Sequence, residues 1–304
     1  MPTSDGVREV PPTDDLFPGF RLLDLPTPAG AVRARVGGEG PPLLLLHGYP
    51  QTHAMWHRVA ARLRDRFSLV CADLPGYGAS VRPPVAPGHE GHSKRAMAGA
   101  LAAAMRALGH ERWMVAGHDR GGRVAHRMAL DHEARVGRLA VLDIAPTREM
   151  YRDARDAFAR AYWHWFFLIQ PAPLPERMIG ADPDAFWRAK CGERGLGLFD
   201  PRALAAYLDA FRDPAAIEAS CEDYRAAAGI DIRHDDEDGG RRVAQPLLAL
   251  WGAEGVVARC FDPLALWRER AADARGWALP GGHYLAEESP DAVADALSGF
   301  LGAP

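Results

Sequence analysis

Short apolar runs of strand length recur along the chain with helix-length stretches between them, and this alternation constrains the fold more than any other feature. The runs are Pro42 to His47, Phe67 to Ala72, Arg112 to Ala116, Leu139 to Leu142, Pro246 to Trp251 and Arg275 to Leu279. Runs this short and this continuous suit strands buried on both faces. Between two of them, Ser93 to Leu108 sets Met97, Leu101, Ala104, Met105 and Leu108 at helical spacing, the stripe of a helix packed on a sheet. Strand and helix in turn predict an α/β fold with a mostly parallel central sheet flanked by helices. Phe20 to Pro26 and Ala31 to Val36, joined by Thr27-Pro28-Ala29-Gly30, predict an antiparallel hairpin leading in.

The alternation breaks between about Pro146 and Val243. There the sequence becomes aromatic and helical over Tyr151 to Leu168, Asp184 to Lys190, Pro201 to Phe211 and Ile217 to Ala228, and then passes through a charged, glycine-bearing loop, His234 to Arg242. A helical cap inserted into the core is expected. It divides the chain into a first core part (1–147), the cap (148–242) and a second core part (243–304).

Composition narrows the partners. A net charge of -4 with both signs spread along 304 residues offers no basic stripe for nucleic acid or an anionic membrane surface. Apolar stretches such as Leu43 to Leu46 fall far short of the roughly 20 residues of a membrane span. Met1 to Asp15 is polar and acidic with no apolar run, which predicts no secretory signal and a cytoplasmic protein. Cys71, Cys191, Cys221 and Cys260 are scattered, without the spacing of a metal site or disulfide framework, and read as free thiols. A small-molecule partner is expected, with no metal and no organic cofactor.

The chemistry centres on Val115-Ala116-Gly117-His118-Asp119-Arg120-Gly121-Gly122-Arg123. An aspartate stands here between small residues at a strand-to-helix turn, the place where a serine nucleophile sits in other chains of this pattern. A serine attacking saturated carbon would make an ether, whereas a carboxylate makes an ester that an activated water can open. Taken alone, Asp119 reads equally well as a helix N-cap. Its surroundings favour the nucleophile: His47-Gly48-Tyr49-Pro50 follows the first parallel strand, where an oxyanion-hole residue belongs, Asp73-Leu74-Pro75-Gly76-Tyr77-Gly78 follows the next, and Gly281-Gly282-His283-Tyr284 follows the last. His283 falls last in a nucleophile, acid, histidine order and reads as the base. For the acid, Gly255 in Trp251-Gly252-Ala253-Glu254-Gly255 stands where a carboxylate is expected, leaving Glu254 a weak candidate. Asp143, at the end of an apolar strand where an unpaired carboxylate would be costly, is the choice as the orienter of His283. Asp262 reads as the cap of a helix beginning at Pro263.

These motifs, together with Tyr162-Trp163-His164-Trp165, Gln170-Pro171-Ala172-Pro173-Leu174-Pro175-Glu176 and Cys221-Glu222-Asp223-Tyr224-Arg225-Ala226, resemble the fluoroacetate dehalogenases of the α/β-hydrolase superfamily from His47 to the C-terminal helix. The resemblance implies Asp119 as nucleophile, His283 as base, Asp143 as its acid partner, and Arg120 with Arg123 as the clamp on the carboxylate of a haloacid. It also implies His164, Trp165 and Tyr224 as the halide pocket, and a homodimer. The expected reaction is hydrolytic dehalogenation of haloacetates, fluoroacetate to glycolate plus fluoride, with water as the second reactant and the backbone N–H groups of Tyr49 and Arg120 as the oxyanion hole. The rival is an epoxide hydrolase with the same triad, Tyr224 and either Tyr162 or Tyr207 protonating the epoxide oxygen, although a neutral epoxide has no need of Arg120 and Arg123. A non-catalytic binder of small acids on the same fold is the third reading.

Overall fold

The computed structural model describes residues 6–12, 14–192 and 195–302. The reading of Met1 to Asp15 as a polar leader therefore falls partly outside the described residues. Nine strands form one sheet: β1 (Arg8–Val10), β2 (Arg21–Thr27), β3 (Gly30–Gly37), β4 (Pro42–Leu46), β5 (Ser68–Ala72), β6 (Trp113–His118), β7 (Val136–Leu142), β8 (Leu247–Gly252) and β9 (Ala274–Leu279). Their spatial order is β1-β2-β3-β5-β4-β6-β7-β8-β9. The first three strands and their junction with β5 are antiparallel, and every pair from β5 to β9 is parallel. The predicted hairpin is β2 and β3, and each of the six expected runs is a strand within a few residues of its expected bounds. β1, three residues on the sheet edge, is an addition that the sequence did not signal.

The centre of the sheet explains why those runs are apolar. Leu43, Leu44, Leu45 and Leu46 of β4 lie between β5 and β6 and are essentially solvent-free, and each leucine removed from water contributes about 2 kcal/mol. Helices α1 (His57–Leu63), α2 (Lys94–Ala107) and α3 (Arg120–Asp131) connect the first parallel strands. Ser93 caps α2 by accepting from the Ala96 N–H, and the expected stripe of Met97, Leu101, Ala104 and Met105 is buried, while Leu108, just past the helix, is only partly so.

Among the described residues, eight α-helices lie between β7 and β8: α4 (Thr147–Arg152), α5 (Asp156–Ala161), α6 (His164–Phe167), α7 (Leu174–Ala181), α8 (Pro183–Cys191), α9 (Pro201–Phe211), α10 (Pro214–Ala228) and α11 (Ile230–Glu237). Three of them share one start signal: Asp182, Asp200 and Asp213 each accept a backbone N–H of the first turn, with proline at the first helical position. After β8 come α12 (Val256–Cys260), α13 (Pro263–Arg270), α14 (Leu285–Glu288) and α15 (Pro290–Leu301). Asp262 caps α13 in the same way, as expected, accepting from the Ala265 N–H at 3.0 Å.

Two expectations in this segment are corrected. Tyr151 to Leu168 is not one helix but parts of α4, α5 and α6, because the backbone leaves helical geometry at Asp153 and again at Tyr162 (φ -111°, ψ 42°). The loop expected over His234 to Arg242 begins as helix α11. Its run of acidic residues is held by two cations, one from the core and one from α4: Arg127 pairs with Asp238 at 2.5 Å and Arg148 with Asp236 at 2.6 Å. Among the described residues no helix is long and apolar enough to cross a membrane, and all four cysteines are free.

Candidate active site

Asp119 joins β6 to α3 with φ 44° and ψ -114°, a backbone conformation that costs a non-glycine residue about 1–3 kcal/mol. Neighbouring contacts hold it there. The Asp119 N–H donates to Leu142 O at 3.2 Å, and the Gly121 N–H donates to His47 O at 2.8 Å. The turn is so tight that a Cβ on Gly121 would stand 2.4 Å from His47 O, and one on Gly48 would stand 2.6 Å from the Asp119 Cβ. The side chain of Asp119 makes no cap hydrogen bond to its own helix. It turns instead toward the loop after β4, where the Tyr49 N–H donates to Asp119 Oδ2 at 3.3 Å. The cap reading that the sequence left open therefore does not hold.

His283, after β9, places Nε2 3.8 Å from Asp119 Oδ2 and Nδ1 2.7 Å from Asp143 Oδ2. Asp143 ends β7 in a left-handed conformation (φ 50°) and its other oxygen accepts the Gly252 N–H at 3.0 Å. A Cβ on Gly255 would lie 3.0 Å from Asp143 Oδ1. The space that a carboxylate after β8 would fill is thus taken by a carboxylate reaching across from the neighbouring strand. Glu254 lines the adjoining cleft. Burial pushes the Asp119 carboxyl up, but His283, Arg120 and Arg123 outweigh it and hold it well below the usual carboxylate range. Burial disfavours the His283 imidazolium, but the nearby Asp119 carboxylate and the hydrogen bond to Asp143 raise it above the ordinary value.

The two arginines lie on the first turn of α3, both buried. Arg120 is a partner of Asp223 on α10: Nε donates to Oδ2 and Nη2 to Oδ1, each at 2.8 Å. Its plane rests 4.1 Å from the Tyr224 ring centroid. Arg123 donates from Nη1 to Thr147 Oγ1 at 2.8 Å and to Ala145 O at 3.1 Å, and lies 4.7 Å from the Trp165 ring centroid. Among the described residues, Arg120 Nη1 and Arg123 Nε are buried without a hydrogen-bond partner. A whole guanidinium fork is not free on Arg120, because Asp223 occupies it. What remains is one unsatisfied nitrogen on each arginine.

His164, Trp165 and Tyr224 come together around these arginines. Tyr224 stands 5.9 Å from His164 and 6.2 Å from Trp165, ring to ring, and its hydroxyl is buried with no partner among the described residues. Burial holds His164 well below its ordinary value, as a neutral imidazole. A cleft of about 500 Å³ opens beside them, with Tyr162, His164, Lys190, Cys191, His283 and Tyr284 in its walls. Asp119, Arg120, Arg123, Trp165 and Tyr224 are not among its walls. Among the described residues no group of three or more His, Cys, Asp or Glu side chains is placed to hold a metal ion.

Three residues have contacts at this site that sequence reasoning did not assign to them. Asp223 gathers Arg120, the Lys94 ammonium and the Tyr77 hydroxyl (2.6 Å) on one carboxylate. Tyr162, which reads as core from its aromatic neighbours, sets its hydroxyl 3.1 Å from His283 Nδ1. Lys190 reaches the cleft from the last turn of α8. Nothing local marked the pairing of Asp223 or the reach of Lys190, and Tyr162 entered only as a phenol of the rival epoxide reaction.

Residues 41–289 match the family described as the alpha/beta hydrolase fold, and the chain belongs to it. Within that class it is a member of the fluoroacetate dehalogenase family: it is 48% identical over 291 residues to the fluoroacetate dehalogenase of Burkholderia sp, covering 94% of this chain and 95% of that one. It is also 30% identical over 276 residues to the soluble epoxide hydrolase of Corynebacterium sp. (strain C12), with 87% and 91% covered. The crystal structure of ALR0039 from Nostoc sp PCC 7120 superposes with a TM-score of 0.91 at 50% identity, covering 94% of this chain and 99% of that chain.

Proposed function

We propose that the protein hydrolyses haloacetates, fluoroacetate among them, to glycolate and halide through an ester on Asp119. The observation that carries this reading is the pair of unsatisfied nitrogens, Arg120 Nη1 and Arg123 Nε, buried beside a carboxylate held ionised by His283 and those same cations. Leaving buried donors unpaired costs about 1–3 kcal/mol each, and an anionic substrate removes that cost. One donor from each arginine on the substrate carboxylate fixes the C–X bond toward Asp119. Departing halide meets the Tyr224 hydroxyl, the neutral His164 N–H and the Trp165 indole N–H, and fluoride, which holds its charge tightly, needs all three.

The ester then changes the state of the base. Once Asp119 is esterified, one of the two carboxylates that raise the His283 pKa is gone, which favours the neutral imidazole when it must take a proton from water. Asp143 orients it through Nδ1. Water attacks the Asp119 carbonyl carbon, the Tyr49 and Arg120 N–H groups stabilise the oxyanion at about 3 kcal/mol each, and glycolate leaves. Residues 148–242 act as the cap that dries the site. A homodimer belongs to the same reading and rests on the resemblance alone, while a cytoplasmic setting rests on composition, the scattered cysteines above all.

The epoxide reading loses support from the tyrosines. Tyr207 donates to Glu287 and Tyr162 is engaged with His283 Nδ1, so both phenols expected to join Tyr224 at the epoxide oxygen already have partners. Fluoride and chloride release from fluoroacetate and chloroacetate, followed by ion-selective electrode, is expected for the parent and lost in Asp119→Ala. His283→Asn is expected to accumulate the ester, seen by mass spectrometry as a carboxymethyl adduct on Asp119. Turnover of epoxides without halide release would overturn the proposal, and a bound small acid left unchanged by the parent would favour the non-catalytic reading.

A further inference from the structure

Among the chain's 36 lysine and arginine residues, only Lys94 and Lys190 are lysines. Lys94 is buried and Lys190 is half-buried. Lys94 is buried against Asp223 and Asp231. Lys190 has no carboxylate partner among the described residues. Its Nζ stands 3.1 Å from the Tyr284 hydroxyl and over the rings of Tyr284 at 5.1 Å and Tyr49 at 5.7 Å. Those two tyrosines flank the reacting groups: Tyr49 donates its N–H to Asp119 and Tyr284 follows His283 in the chain. Lys190 is thus a cation in the wall of the cleft, satisfied by one phenol and two π faces, with further N–H donors left over.

We propose that Lys190 and Tyr284 form an anion-recruiting subsite in the cleft, which takes the carboxylate of a small monocarboxylate on its way to Arg120 and Arg123 and the product acid on its way out. This rests on the haloacid reading above and adds a second, outer contact to it. The choice of lysine in a chain that otherwise uses arginine has a chemical reason. A guanidinium fork binds a carboxylate through two parallel bonds and holds it, whereas an ammonium is a compact point charge that passes an anion on. The charge balance of the site agrees. Burial lowers the Lys190 ammonium from its ordinary value, and the Asp119 and Asp143 carboxylates work against that through space. Arg259 and Glu254 also line the cleft, but neither stands over the two tyrosines. A cation in a cleft with low-dielectric walls raises the local concentration of anions and their rate of arrival.

The test compares the parent with Lys190→Met and Lys190→Arg. In Lys190→Met, kcat/KM for fluoroacetate is expected to fall about tenfold, carried by KM, and its decline with ionic strength to flatten. Lys190→Arg is expected to keep the salt dependence and recover part of the loss. Acetate binding by isothermal titration calorimetry reads the same subsite without turnover, and is expected to weaken about tenfold in Lys190→Met and less in Lys190→Arg. A parent that releases no halide yet shows this pattern with acetate would overturn the haloacid reaction and leave the subsite standing. Unchanged acetate affinity in Lys190→Met, or equal losses in both variants with the parent's salt dependence, would overturn the subsite.

Discussion

At the scale of single residues, the site is a set of charges that fix one another's protonation. Burial alone would neutralise Asp119, since an isolated carboxylate is costly in a dry site. His283, Arg120 and Arg123 reverse that, and the same contact works in the other direction on His283. The free enzyme is therefore expected to hold His283 above its ordinary pKa of about 6.5, read by NMR titration of its ring protons. Asp119→Asn removes one of the two carboxylates that raise it, so its pKa falls in that variant. A His283 pKa unmoved by Asp119→Asn would separate the two residues electrostatically and remove the reason for a base that becomes neutral on esterification.

At the scale of elements, the acid of the triad is a matter of which strand end reaches the histidine. β7 and β8 are adjacent and parallel, so their carboxyl ends present neighbouring loops to the same side of His283. A glycine at 255 and an aspartate at 143 put the carboxylate on β7; the reverse arrangement is sterically available once Asp143 is truncated. Asp143→Gly is expected to lower kcat on the order of a thousandfold. Gly255→Asp added to it is expected to restore at least tenfold, because position 255 has ordinary backbone angles (φ -74°, ψ 163°) and its Cβ points at the vacated carboxylate. Steady-state rates of halide release check both. No recovery in the double variant would mean that position 255 cannot reach His283 Nδ1.

At the scale of the whole molecule, the helical segment is tied to the core by buried polar pairs as well as by apolar packing. One of them, Tyr207 of α9 on Glu287 of α14, joins the segment to the loop that carries His283. Burial pushes the Glu287 carboxyl up to about 7 against the Tyr207 hydrogen bond and Arg58. A raised folded pKa means that its contribution is fully present below the unfolded value of about 4.3 and is lost as pH rises through about 7. A carboxyl whose pKa rises by one on folding changes stability by about 1.4 kcal/mol across that pH range. Melting temperatures between pH 5 and 8 are expected to fall less in Glu287→Gln than in the parent, and parallel curves would show that Glu287 ionises normally. By itself the sequence determined the sheet, its hairpin and the place of the helical segment, because strand and helix periods are local consequences of burying a chain on two faces. It also marked the elbow and the histidine by their motifs, with Gly48 and Gly121 where the close approach of the chain leaves no room for a Cβ. Only the tertiary structure decided that Tyr151 to Leu168 breaks into three helices, that Asp223 occupies most of Arg120, and that Tyr162 and Lys190 face the cleft. Those outcomes depend on ion pairs and ring contacts between residues tens of positions apart, which no local pattern encodes.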